Sequence, residues 1–254
     1  MNAITRATGI ARSLAIYRGI PGRSARFRRF FSTLIRPGDL CFDIGAHVGN
    51  RSLCWAGLGA RVVALEPQPD LARLLRRSFR GHPGITLVES AVGAAPGTAT
   101  LHLSSRNPTV ASLSPGWIET VSRADGFASI RWDRRAEVPV TTLDALIDRF
   151  GVPAFCKIDV EGFEAEVLAG LSRPLPCLSV EYVPAALPAT LAALDRIEAL
   201  GRIGAMGRCR FQVSVGETGR FLWPNWREGH EVRAWLLTLS PEDRSGDIYA
   251  RTEG

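Results

Sequence analysis

The chain has 254 residues, 46% hydrophobic and 22% charged, a balance ordinary for a globular protein and long enough to bury one sizeable core, with one domain as the default. No run approaches the ~20 apolar residues that cross a bilayer, and the first 38 residues lack the apolar core and cleavage site of a secretory signal, so the expected compartment is the cytoplasm. Five cysteines, an odd number without a C-x-x-C pair, fit buried thiols in a reducing compartment better than a nucleophile, for which no His or Asn partner motif is visible.

The net charge of +6 is unevenly placed. Eight arginines and no acid precede Asp39, whereas the remainder carries 23 basic against 25 acidic residues. Residues 1–38 are therefore read as a basic N-terminal arm or helix and 39–254 as the folded body. Such a leader suits contact with an anionic membrane or nucleic acid, or a transit peptide; the favoured reading is a helical arm that packs Ile10, Leu14 and Tyr17 on the core. Only one of the 31 basic residues is lysine, Lys157. Its retention in an arginine-rich chain points to a need for a compact point charge there, with chance survival as the alternative.

Along the body, strand-like and helix-like patterns alternate, as in a parallel sheet covered by helices. Strands are expected over 40–44, 61–65 and 85–89, a helix from about Arg51, and another over 70–79, where Leu71, Leu74 and Leu75 share one face and Pro69 sits near the start. Residues 98–103 alternate polar and apolar and read as an antiparallel or edge strand. A polar stretch, 104–135, exceeds ordinary connections and suits an active-site flap, helical in part around 117–122. Beyond it come a short strand over 138–140, a helix over 143–150 capped by Thr142, and a buried strand over 154–159. Further strands are expected over 177–182, 211–215 and 247–250, with a helix over 188–200. Trp223-Pro224-Asn225-Trp226 reads as a turn packing two indoles on the final helix.

The constellation that carries chemistry is Asp43-Ile44-Gly45-Ala46-His47-Val48-Gly49-Asn50, between the first strand and the next helix. Glycines here let the backbone turn tightly and approach a ligand at a helix N-terminus. A dinucleotide site normally reads G-x-G-x-x-G, its second glycine admitting the pyrophosphate; that position holds His47. A nucleoside cofactor without pyrophosphate fits better, and S-adenosylmethionine (SAM) is the common one. Glu66 closes the second strand, where a carboxylate can accept both ribose hydroxyls, and Ser90 and Ala91 follow the third, where an adenine ring would lie.

In Asp43 to Gly49, Glu66-Pro67, Thr141-Thr142-Leu143-Asp144 and above all Lys157-Ile158-Asp159-Val160-Glu161-Gly162-Phe163-Glu164, the sequence resembles the FkbM family of methyltransferases, over roughly residues 30–251. The family commonly has Asn where this chain has His47. The resemblance implies an α/β class I methyltransferase (Rossmann-like) fold, a mostly parallel seven-stranded sheet with helices on both faces, with SAM as donor and O-methylation of a small-molecule or glycan acceptor. Cofactor binding is then expected at Asp43, Gly45, Ala46, His47, Gly49, Glu66, Pro67, Ser90 and Ala91.

Lys157 and Asp159 point to one side of their strand, and both can face a site at the sheet's carboxyl edge. Transfer to a hydroxyl gains from alignment and from a base. Asp159 or Glu161 is a candidate base, and Lys157 a group that keeps the base ionised, orients the hydroxyl or stabilises alkoxide charge. Either acid could instead ligate a divalent cation, although no dedicated metal motif is present. The bland alternative makes Lys157 an ion-pair partner of Asp159, and Glu161 and Glu164 helix N-terminal acids. Glu181 is a candidate third carboxylate. Competing functions are a nicotinamide-dependent oxidoreductase, disfavoured by the glycine pattern, a nucleic-acid methyltransferase, and a non-catalytic SAM-fold binding protein.

Overall fold

The computed structural model, which describes residues 3–203 and 208–253, alternates strands and helices as the apolar pattern dictates. Helices α1 (Ala3–Arg18) and α2 (Arg23–Phe31) precede β1 (Leu40–Ile44), α3 (Asn50–Ala56), β2 (Arg61–Leu65), α4 (Pro69–Ser78) and β3 (Ile85–Val88). A middle run follows: β4 (Ala91–Val92), β5 (Gly97–Leu103), α5 (Pro115–Val121), β6 (Arg134–Thr141) and α6 (Leu143–Phe150). The chain then forms β7 (Phe155–Ile158), α7 (Glu164–Ala169), β8 (Cys177–Tyr182), α8 (Leu187–Gly201), β9 (Cys209–Val215), α9 (Gly229–Leu236) and β10 (Gly246–Thr252).

Seven strands form one sheet in the order β3-β2-β1-β7-β8-β10-β9. Only β10 runs against its neighbours, β8 and β9. Strand alternation divides the apolar residues between two layers. Phe42, Ile44, Val63, Leu65, Cys156 and Ile158 meet α6 to α9 on one face, and Cys41, Val62, Ala64 and Phe155 meet α2 to α4 on the other. Both faces are covered, which is why these strands are predominantly apolar. The order reverses beside β1, since β2 lies on one side and β7 on the other; this switch point is where open α/β sheets bind ligands.

The apolar layer continues across residue 38. Helix α2 buries Phe27, Phe30 and Phe31, with Phe31 edge-on to Trp55 at 5.4 Å and Phe30 edge-on to Tyr249 at 5.6 Å. Ile10, Leu14 and Tyr17 of α1 are half-buried. Among the described residues no helix is long and apolar enough to cross a membrane. All five cysteines are free, and burial pushes the thiol of Cys41 up to about 12 and that of Cys54 up to about 11.

Residues 98–103 form the antiparallel edge strand expected of them, in a second sheet: β5 pairs antiparallel with β6, and β4 parallel with β6, in a separate three-stranded sheet. Two expectations change. The strand expected over 138–140 extends over Arg134–Thr141, because its first half alternates charged with apolar residues and lacks the continuous hydropathy of a buried strand. Only one indole of the Trp223 to Trp226 turn reaches the final helix. Trp223 packs edge-on to Trp235 at 5.8 Å, while Trp226 lies against Phe221 and under the Arg251 guanidinium.

Candidate active site

Two adjoining cavities open at the carboxyl edge of β1, β2 and β7 and share Gly45, His47, Thr109, Asp159 and Glu161. The first is mainly apolar. Its walls include Pro67, Ala91, Val92, Val160 and Phe163, and its roof is Pro108, Ala111 and Leu113 from the expected flap. Glu66 supplies a buried carboxylate that accepts backbone N–H groups from His47 and Gln68, each at 2.8 Å. Burial pushes this carboxyl up to about 8 despite those two bonds. Gln68 also donates from Nε2 to the Pro108 carbonyl at 2.8 Å, tying the roof to the turn after β2.

The turn after β1 depends on one glycine. Gly45 has φ +84°, and a Cβ there would collide with the Asp159 carbonyl oxygen, so the β1 and β7 loops approach more closely than any side chain allows. His47 also takes a positive φ, of 50°. Burial holds its imidazole down at about 4, and its Nε2 has no hydrogen-bond partner among the described residues.

The second cavity is polar and dominated by acids. Lys157 lies between two carboxylates, donating to Asp159 and approaching Asp247 Oδ1 at 3.9 Å. Burial alone would lower its pKa, but Asp159 and Asp247 outweigh it and keep the ammonium charged. Burial would likewise raise Asp159, and Lys157 prevails and lowers it. Glu161 and Glu181 have no such cation. Burial first, then repulsion from Asp159 and Glu164 for Glu161, and from Glu161, Asp159 and Glu164 for Glu181, drives both well above the ordinary carboxylate range. Oxygens of Asp159, Glu161 and Glu181 lie within 4.8 Å of one another, a spacing at which acids share a proton or jointly ligate a divalent cation.

The β7 loop holds Glu161 at φ 56°. Ser112 donates to its carbonyl at 2.6 Å, and Glu164 accepts from the N–H groups of Val160 and Gly162. Gly162 also has positive φ, and a Cβ there would enter the Trp117 ring. Glu164 thus braces the turn, while the Glu161 carboxyl belongs to the acidic trio and does not cap α7.

The residues picked from sequence gather here with one exception. Gly45, His47, Glu66, Pro67, Ser90 and Ala91 line the apolar cavity, and Asp43, Ala46, Lys157, Asp159 and Glu161 line the polar one. Asp43 accepts from Ser52 Oγ. Gly49 lines neither; it begins α3 in a left-handed conformation, and a side chain there would meet Leu75 and Phe79. Sequence reasoning missed Tyr17, Gln68, Arg51, Glu217 and Asp247. Asp247 carried a usable signal as the acid opening the last strand. Tyr17 and Glu217 reach the site by tertiary packing from segments without a motif.

A reversal of strand order beside β1, a carboxylate at the end of β2 and a mainly apolar cavity beside them define a Rossmann-like α/β protein with a candidate ligand site at its switch point. The methyltransferase FkbM domain matches residues 43–245, and the chain belongs to that family. Hexuronic acid methyltransferase AglP of Haloferax volcanii is 29% identical over 147 residues, 57% of this chain and 54% of that protein; the chain thus spans about half the length of the curated relative it matches. Among solved structures, it is similar to the O-methyltransferase from Bacillus cereus in complex with SAH, at 14% identity and TM-score 0.49, over 100% of this chain and 92% of that one. It is also similar to fibrillarin of Aeropyrum pernix with bound S-adenosyl-L-methionine, at 10% identity and TM-score 0.44, over 85% of this chain and 68% of that one.

Proposed function

We propose that the protein is a SAM-dependent O-methyltransferase acting on a hydroxyl of a small molecule or glycan. The observation that carries this reading is the pair of joined cavities, one apolar with the buried Glu66 carboxylate, the other acidic with a charged lysine. The first fits adenosine: Pro67, Ala91 and Phe163 supply apolar surface for a purine, and Glu66 can accept ribose hydroxyls. No glycine is available at position 47 for the close approach of a pyrophosphate, which disfavours a nicotinamide dinucleotide. When bound, SAM supplies a sulfonium-activated methyl group.

The protein's own residues handle the acceptor proton. The Lys157–Asp159 pair is fixed and charged, suited to orient the hydroxyl and offset negative charge developing on its oxygen. Asp159 itself is a poor base, since Lys157 lowers its proton affinity. Glu161 and Glu181 retain protons to higher pH, and with one proton shared between them the ionised member is the stronger base. Glu161, on the wall common to both cavities, would take the acceptor hydroxyl's proton when a methyl donor is held in the apolar cavity.

Thermal unfolding tests the cofactor assignment. S-adenosylhomocysteine at a hundredfold excess over its Kd should stabilise the protein by about 2.7 kcal/mol, while NAD should leave the Tm unchanged. An equal shift from NAD would overturn the reading.

A further inference from the structure

The arginine-rich leader is only partly spent on packing. Arg6 pairs with Asp70 at 3.4 Å, and Arg26 donates to the Glu217 carbonyl at 3.2 Å. Arg18 donates to the Val48 carbonyl and to Ser78 Oγ, and Arg23 to the Ile16 carbonyl. Arg18, Arg23 and Arg28 also converge on a third cavity of about 260 Å³, lined further by Ser24 and Asn50 and floored by Phe27 and Leu53. No acid lines it. Glu217, on the neighbouring polar cavity, reaches one of the three guanidiniums, Arg23, at 3.4 Å and shares itself with Arg51 at 2.8 Å. Arg23 is 7% exposed, yet its Nε, like that of Arg18, is buried without a hydrogen-bond partner among the described residues.

An unpaired donor on a buried guanidinium carries a desolvation cost, and a bound anion removes it. Guanidinium forks match phosphate oxygens. The basic cavity adjoins the acidic one, sharing Tyr17 and Asn50 as common walls. Charge thus changes sign across this shared wall, from carboxylates around the proposed reacting hydroxyl to three arginines beyond Tyr17.

Resting on the acceptor site proposed above, we infer that the leader builds an anion subsite for a phosphate or diphosphate carried by the acceptor, with Arg18, Arg23 and Arg28 as its ligands and Tyr17 as the partition. The acceptor class is then a phosphorylated or diphosphate-linked glycoside. The reaction that supplies it must be a phosphorylation or a transfer onto a diphosphate carrier.

Calorimetric titration of the full chain with inorganic pyrophosphate, after saturation with S-adenosylhomocysteine, tests this. The first titration reports on cofactor binding alone, so failure of that reading is told apart from failure of this one. Pyrophosphate is expected to bind the saturated protein. Arg23→Gln should weaken it by roughly tenfold or more, as expected for a lost charge-assisted bond. The exposed Arg28→Ala, which leaves the core intact, should weaken it about threefold or more, while Arg12→Ala, outside the cavity, should not. UDP-glucose and farnesyl diphosphate in phosphatidylcholine vesicles separate a nucleotide carrier from a lipid one, and the true carrier class should bind more tightly than pyrophosphate. The inference is overturned if pyrophosphate fails to bind, if S-adenosylhomocysteine displaces it, if Arg12→Ala weakens it as much as Arg28→Ala, or if neither carrier improves on it.

Discussion

The apolar and polar cavities share a wall and differ in how their charged groups are satisfied. Glu66, the carboxylate that lines the apolar cavity and not the polar one, is held by two backbone donors. In the polar cavity Asp159 and Asp247 flank one lysine, while Glu161 and Glu181 crowd Asp159 without a cation of their own. Fixed backbone donors make Glu66 a rigid acceptor for ligand hydroxyls. Crowded acids with displaced proton affinities suit the second cavity to the proposed proton transfer. On the function proposed above, binding and chemistry are divided between the two, and Gly45 and Glu161 stand at the junction.

Separating the two acids of the β7 loop sharpens this division most. Glu161→Gln should lower kcat by ~10²–10⁴, the usual contribution of a general base, while S-adenosylhomocysteine affinity stays within about threefold. Asp159→Asn should act more on acceptor KM than on kcat, since it disrupts an orienting pair and leaves Lys157 with Asp247. Steady-state formation of S-adenosylhomocysteine measures both. If Asp159→Asn proves the more damaging to kcat, the roles assigned to the two acids are reversed.

The next effect belongs to Glu66, whose carboxyl burial pushes up to about 8 from an ordinary 4.5. A raised carboxyl pKa means that the folded protein keeps a proton the unfolded chain has released. Its contribution to stability is full below 4.5 and is lost as pH rises toward about 8. Ribose hydroxyls donate to the ionised form, so S-adenosylhomocysteine affinity should increase over that window and level off above it. Glu66→Gln should flatten the profile and, at high pH, weaken binding about tenfold to a hundredfold, the loss of hydrogen bonds to a charged group. A pH-independent wild-type affinity would remove Glu66 from cofactor recognition.

The main sheet was legible because its central strands are buried on both faces and read as predominantly apolar runs, 40–44, 61–65 and 177–182 matching β1, β2 and β8. The helix over 143–150 was legible through its cap, Thr142, which accepts from the Ala145 N–H at 3.1 Å. The second sheet was not, because β6 is exposed on one face and carries Arg134, Arg135 and Glu137 among its strand residues. Site residues within a motif, such as Glu66 and Lys157, could be named in advance. Tyr17 and Glu217 could not: Tyr17 joins His47 edge-on at 5.2 Å across 30 positions of sequence, and Glu217 meets Arg51 across 166. Pairings of that separation leave no local pattern to read.

The smallest expected effect tests whether the roof of the apolar cavity serves binding alone. Gln68 is buried, and its side-chain amide holds the Pro108 carbonyl at 2.8 Å while its backbone N–H holds Glu66. Gln68→Ala removes the first bond and keeps the second. One neutral hydrogen bond contributes about 1 kcal/mol, so cofactor Kd should rise about fivefold as the 108–113 roof loosens. Pro108, Ala111 and Leu113 line only the apolar cavity, and Thr109 alone among them touches both. The acceptor KM and kcat at saturating SAM should therefore change little. A matching fall in kcat would show that the roof also positions the reacting groups, through Thr109 or through the Ser112 bond to the Glu161 carbonyl. The boundary between a binding cavity and a reacting one would then have to move into the flap.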